Sequence, residues 1–182
     1  QGPDGARWIA LSGEGGHVSF APTNQLEIEL LRFLTRQRDR ASAERVLSGM
    51  GLSNLYEFLA ERAGSPGLRL PPAQITALGL DQGDAVARSA LQLFCALLGG
   101  VAGDLALTLG ARGGVYVGGG IVPRLLPMLP ETEFVQRFLA KGRMSRVLAP
   151  IPIYLILDPS AALLGAAAAQ AGTNFIATPF MQ

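Results

Sequence analysis

The chain has 182 residues, 49% of them apolar, enough to bury one core in a single domain of ordinary size. Its 15 Lys and Arg against 14 Asp and Glu leave a formal net charge of +1, and no run of like charge points to nucleic acid or to a membrane surface. The single cysteine, Cys95, excludes an intrachain disulfide and a cysteine-based zinc cluster, and favours a reducing compartment, the cytoplasm.

The chain opens on the polar Gln1, Gly2, Pro3 and Asp4, without the basic and then apolar segment of a signal peptide. Trp8 to Ser12 alternates weakly and is expected to form a short strand running into the glycine loop Gly13 to Gly16. Asn24 with Glu27 three residues on marks a helix start, and Leu26, Leu30, Phe33 and Leu34 follow at helical spacing. Ser42 is expected to cap a short helix that carries Glu44 and ends near Gly49. Leu52, Leu55, Phe58 and Leu59 mark the next helix, stopped by Gly64. Ser65 to Pro72 reads as a surface loop, and Pro72 opens a helix through Leu78.

After a turn over Gly79 to Gly83, the main helix is expected to present Ala87, Leu91, Phe94, Leu98, Val101, Leu105 and Leu109 along its apolar side. Its longest apolar stretch, Ala85 to Leu109, is interrupted by Arg88, Gln92 and Asp104, which suits a buried helix better than a membrane span. Gly99, Gly100 and Gly103 each cost a helix about 1 kcal/mol relative to Ala, so a neighbour is expected to approach closely there or the helix to bend. Val115 to Val117 reads as a strand bounded by glycines, with Gly118 to Gly120 leading to Pro123 in a first helical turn. Glu133 to Ala140 is a further helix, Ile153 to Leu157 the last strand, and Ser160 to Gln170 an alanine-rich helix.

Three groups of residues could carry chemistry. In the first, Glu14 and His17 stand among Gly13, Gly15 and Gly16, so that an acceptor-only carboxylate and the sole imidazole can face an open cleft. His17 is read as a hydrogen-bonding group, with general base as the formal alternative. In the second, Glu44 falls in a first helical turn, where on that stretch alone interaction with the helix dipole is the preferred explanation over a ligand. In the third, Gly118, Gly119 and Gly120 follow a strand and let a flat purine or a phosphate approach the backbone; tight strand-to-helix packing is the competing explanation. The third group is neither a Walker A loop nor a dinucleotide fingerprint.

Taken in order, SGEGGHVSFAP at Ser12 to Pro22, SAERVLSG at Ser42 to Gly49 and GGVYVGGGIVPR at Gly113 to Arg124 closely resemble the bacterial glucokinases. LFCALLGGVAGDLALTLG at Leu93 to Gly110 and IPIYLILDPSAALLGAA at Ile151 to Ala167 agree as well. The resemblance implies an α/β fold, α+β by content: a truncated actin-like or ribonuclease H-like ATPase domain, helix-rich with a small mixed sheet. It implies ATP-dependent phosphorylation of glucose to glucose 6-phosphate, with Mg²⁺, and it assigns Glu14, His17 and Glu44 to the sugar and Gly118, Gly119 and Gly120 to the adenosine of ATP. Residues 1–172 are then the larger, sugar-binding domain without its first strands, and residues 173–182 a tail of unknown role.

The family's Asp- and Gly-rich phosphate loop, its catalytic aspartate and its second phosphate loop do not occur before Trp8, so no catalytic residue is assigned here and the base is expected upstream of Gln1. Phosphoryl transfer depends largely on positioning and charge stabilisation, so the chain alone is expected to be inactive. A non-catalytic sugar-binding module or regulator of the same superfamily is the alternative, but such relatives bear a cysteine-rich zinc motif that Cys95 alone cannot supply. Too few strands to protect a sheet edge imply a homo-oligomer or edge pairing between copies.

Overall fold

The computed structural model describes residues 13–36, 39–65 and 69–171. The expected strand at Trp8 to Ser12 and the tail from Thr173 lie outside them. Helix α1 spans Gln25–Thr35, and Asn24 caps it by accepting from Glu27 N at 2.9 Å. Glu27 is fully buried, yet its carboxylate accepts from Thr23 N, Thr23 Oγ1, Asn24 Nδ2 and Arg137 Nη2, the last at 2.6 Å. The capping box thus doubles as one half of a buried ion pair, whose loss would strand a charge in the core.

Helix α2 covers Gly49–Arg62, with Ser48 Oγ accepting from Gly51 N. It stops where Gly64 turns left-handed at φ +77. Arg62 and Glu29 pair at 3.0 Å on the outside of the α1 and α2 packing. Helix α3 runs over Pro72–Asp81, so Gly79 lies inside it rather than opening a turn. A Cβ on Gly79 would stand 2.8 Å from Leu91 Cδ1 and 2.9 Å from Arg88 N, so that glycine permits close packing, and Gly83 at φ +70 makes the turn.

Helix α4, Ala85–Leu109, begins at Asp84, whose carboxylate accepts from Ala87 N, and ends at Gly110, φ +60. It packs against α2, α3 and α6, and most of its apolar central window is buried by them, which suits a core helix. Strand β1, Val115–Val117, precedes the one-turn helix α5, Val122–Leu125; the six-residue helix α6 is Phe134–Leu139 and α7 is Ser145–Leu148. Strand β2, Ile153–Leu155, lies parallel to β1, with Val115 opposite Ile153 and Val117 opposite Leu155, and helix α8 follows over Ala161–Ala171. Among the described residues the sheet has these two parallel strands, and the antiparallel pairing is a bridge between Ser19 and Ser42.

One core gathers Leu30, Leu34, Leu52, Leu55, Ile75, Leu91 and Phe94 between α1, α2, α3 and α4; a smaller one sets Ala102 and Ala106 against Phe138, Leu148 and Ile151. In the second half of α4 the expected apolar side is displaced. Leu105 and Leu109 are exposed while the small Gly99, Ala102, Gly103 and Ala106 are buried. The cause is the backbone of α6: a Cβ on Gly99 would fall 2.0 Å from Phe134 O, and one on Gly103 2.5 Å from Phe138 O. Lys141 Nζ tightens the same seam, donating to Gly100 O at 2.9 Å and pairing with Asp104 at 2.7 Å.

Candidate functional site

Glu14 precedes a single 3₁₀ turn, Gly15–His17, and Glu44 sits in another, Ala43–Arg45. The two turns are brought face to face by the antiparallel bridge, in which Ala43 N donates to Val18 O at 2.9 Å and Phe20 N to Ala41 O at 3.0 Å. Gly16 lies beside the Glu44 side chain, and a Cβ there would make an ordinary contact with Glu44 Cβ at 3.6 Å. As a result His17 Nδ1 stands 3.2 Å from Glu14 Oε2, and His17 Nε2 stands 3.9 Å from Glu44 Oε2.

A neutral imidazole has one N–H to donate, and 3.9 Å is too long for a direct hydrogen bond. Glu44 therefore keeps its acceptor capacity, and with the one N–H directed at Glu14 Oε2, Glu44 and His17 Nε2 both face the gap as acceptors for hydroxyl donors. The three side chains are 85%, 64% and 49% exposed for Glu14, His17 and Glu44, so they present an open cluster rather than a structural buried triad. Helix α1 begins eight residues beyond His17, and its buried Glu27 anchors the exit of this loop to α6 through Arg137.

Glu44 is held from behind by residues that the motif reading did not single out. Ser48 Oγ donates to Glu44 O at 2.7 Å, and the fully buried Asn54 donates from Nδ2 to Arg45 O at 2.8 Å. Gly51 allows the approach, since a Cβ there would lie 2.5 Å from the Val46 carbonyl carbon. Ser48 carries a sequence signal, a hydroxyl residue just before a helix; Asn54 carries none, because its partner is set by tertiary packing. Ser42, expected to cap by its side chain, makes no such bond and instead serves the bridge with Ser19.

Gly118, Gly119 and Gly120 line a separate cleft of about 780 Å³ together with Pro123, Arg124, Ile156, Leu157, Asp158, Pro159, Ala161 and Ala162. The three glycines differ in role. A Cβ on Gly118 would touch Ile156 Cδ1 at 3.4 Å, which is a packing contact, whereas Gly119 (φ +118) and Gly120 have nothing within 4 Å and face open space. α5 is one turn long, so the cleft owes little to a helix dipole and is shaped by the glycine backbone and mostly apolar walls. Asp158, missed as a site residue, reaches this cleft while its Oδ1 accepts from Ser160 N at 2.7 Å. Among the described residues no three His, Cys, Asp or Glu side chains converge so as to hold a metal ion.

The family model described as Glucokinase matches residues 2–173. Glucokinase from Chromobacterium violaceum is 53% identical over 166 residues, which is 91% of this chain and 48% of that protein. Glucokinase from Cupriavidus metallidurans is 49% identical over 171 residues, 93% of this chain and 50% of the other. Among solved structures, a glucokinase from an Antarctic psychrotroph superposes with TM-score 0.82 at 40% identity, over 90% of this chain and 51% of that one. A glucokinase from Balamuthia mandrillaris in complex with glucose, 21% identical, shares the fold at TM-score 0.70 over 82% of this chain and 44% of that one. The chain spans about half the length of the curated relatives it matches. With the family model covering nearly its whole length and the two motif turns folded against each other, this chain belongs to the glucokinase family.

Proposed function

We propose that the chain is the sugar-binding portion of an enzyme that transfers the γ-phosphoryl group of ATP to glucose, giving glucose 6-phosphate. The observation that carries this reading is the placement of His17 between the carboxylates of Glu14 and Glu44, from segments almost thirty residues apart. Two acceptor-only carboxylates and an imidazole match a ligand whose recognisable groups are adjacent hydroxyls, and such a site discriminates against sugars lacking one of them.

In the reaction the O6–P bond forms as the bond from the γ-phosphorus to the β,γ-bridging oxygen breaks, ADP leaves, and the hydroxyl proton passes to a base. Glu14, His17 and Glu44 hold and orient the hexose so that its 6-hydroxyl is presented, a positioning contribution. The aspartate base and the phosphate loops of the family pattern are expected outside these 182 residues. Gly119 and Gly120 leave the backbone open to the adenosine of ATP, Gly118 leaves room for Ile156 beside it, and Pro123 forms one wall. Mg²⁺ would accompany the phosphates and neutralise their charge. A cytoplasmic location and self-association between copies belong to the same proposal.

Isothermal titration of the chain with glucose tests this reading. Saturable binding is expected, weakened about tenfold or more in Glu44→Gln, which exchanges an acceptor oxygen for a donor amide. Equal affinity in the two proteins, or no binding by the unmodified chain, contradicts it.

A further inference from the structure

The turn that carries Glu14 and His17 is weakly held by its own residues. Cβ atoms on Gly13 and Gly15 would meet nothing within 4 Å, and the turn's backbone bonds are internal, from His17 N to Glu14 O and from Val18 N to Gly15 O. The bridge to the Glu44 segment starts only at Val18, past the imidazole. One side chain reaches back across: Arg40 Nη2 donates to His17 O at 2.6 Å and to Ser19 Oγ at 3.3 Å.

A carbonyl pinned by a charged donor fixes the peptide plane that follows it, and so ψ of His17. With the plane fixed at His17 and the chain paired from Val18 onward, the direction in which the His17 Cα–Cβ bond leaves the backbone is set relative to Glu44. Neither Glu14 nor Glu44 is paired with Arg40 among the described residues; its guanidinium grips the backbone instead.

We infer that Arg40 is a positioning residue of the candidate hexose site, a strut that locks the His17 carbonyl and thereby holds the imidazole in register with Glu44. The effect on sugar affinity rests on the hexose reading above; the strut itself does not. Lysine keeps the charge but offers a single ammonium in place of the planar fork, so it replaces Arg40 only in part.

Nuclear Overhauser cross-peaks between the imidazole of His17, the sole histidine, and the side chain of Glu44 read the register directly in the 182-residue chain. They are expected in the unmodified protein, to fall at least about fivefold in Arg40→Ala and to return in part in Arg40→Lys, with thermal midpoints within about 3 °C of one another because Arg40 is exposed. Glucose affinity is expected to weaken about tenfold in Arg40→Ala, the cost of ordering a loosened site. Undiminished cross-peaks in Arg40→Ala overturn the inference, as does an Arg40→Ala chain that fails to fold, which would make the residue structural. Should the cross-peaks vanish in Arg40→Ala while the unmodified chain never binds glucose, the strut stands and the hexose reading is overturned.

Discussion

Burial pushes the Cys95 thiol up from its ordinary 9.0 to about 11, with a hydrogen bond to Thr132 acting weakly the other way. The neutral thiol is therefore the form the fold prefers. That preference contributes fully to stability below about pH 9 and is lost as the pH rises from there through about 11. A thiol reagent such as Ellman's is expected to leave the native chain unmodified at pH 8 and to modify one thiol after unfolding; rapid native labelling would show Cys95 to be reachable. Cys95 lies inside an apolar run of sequence, the setting of a small buried hydrophobe. Glu27 was legible in part: its spacing from Asn24 announced a capping box, but the partnership with Arg137, 110 residues further on, has no local signature. Glu14, His17 and Glu44 stood out through motif and chemistry. Arg40, Ser48 and Asn54, which hold that group in place, act through backbone carbonyls that become partners only once the segments are folded together.

At the level of elements, periodicity located helices α1, α2 and the first half of α4 because each has an apolar side facing the main core and a capping residue at its start. It misjudged the second half of α4. There the buried side is made of glycine and alanine, since α6 packs backbone against backbone, and hydrophobicity alone selects Leu105 and Leu109 instead. Gly99→Ala is expected to lower stability by about 3 kcal/mol, because its methyl would overlap Phe134 O and neither helix can yield without disturbing the core. Gly100→Ala is the control: its Cβ would meet only Arg137 Nη2 at 3.9 Å, and the helical gain of up to about 1 kcal/mol should appear instead. Denaturant midpoints of the two variants, read with unchanged slopes, decide the matter. Equal destabilisation by both would mean that the α4 and α6 seam is not as close as described.

Over the whole molecule, the described helices bury a substantial core while the two-stranded sheet leaves Tyr116 stacked on Tyr154, ring centroids 4.8 Å apart, on an exposed face. A sheet this narrow has unpaired edges on both sides among the described residues, which is the physical basis for expecting self-association. The fold class was legible because three ordered motifs carried it; local pattern alone suggested only a helix-rich domain with too few strands. What no local pattern supplied is the convergence of the Gly13 to His17 turn with Glu44, on which the functional account depends. The most direct measurement is a glucose titration followed through the C2–H resonance of His17, the chain's only imidazole. The account predicts a saturable shift that Glu44→Gln abolishes or displaces to about tenfold higher sugar. A His17 signal that stays still while glucose moves other resonances would put the sugar elsewhere and contradict the account.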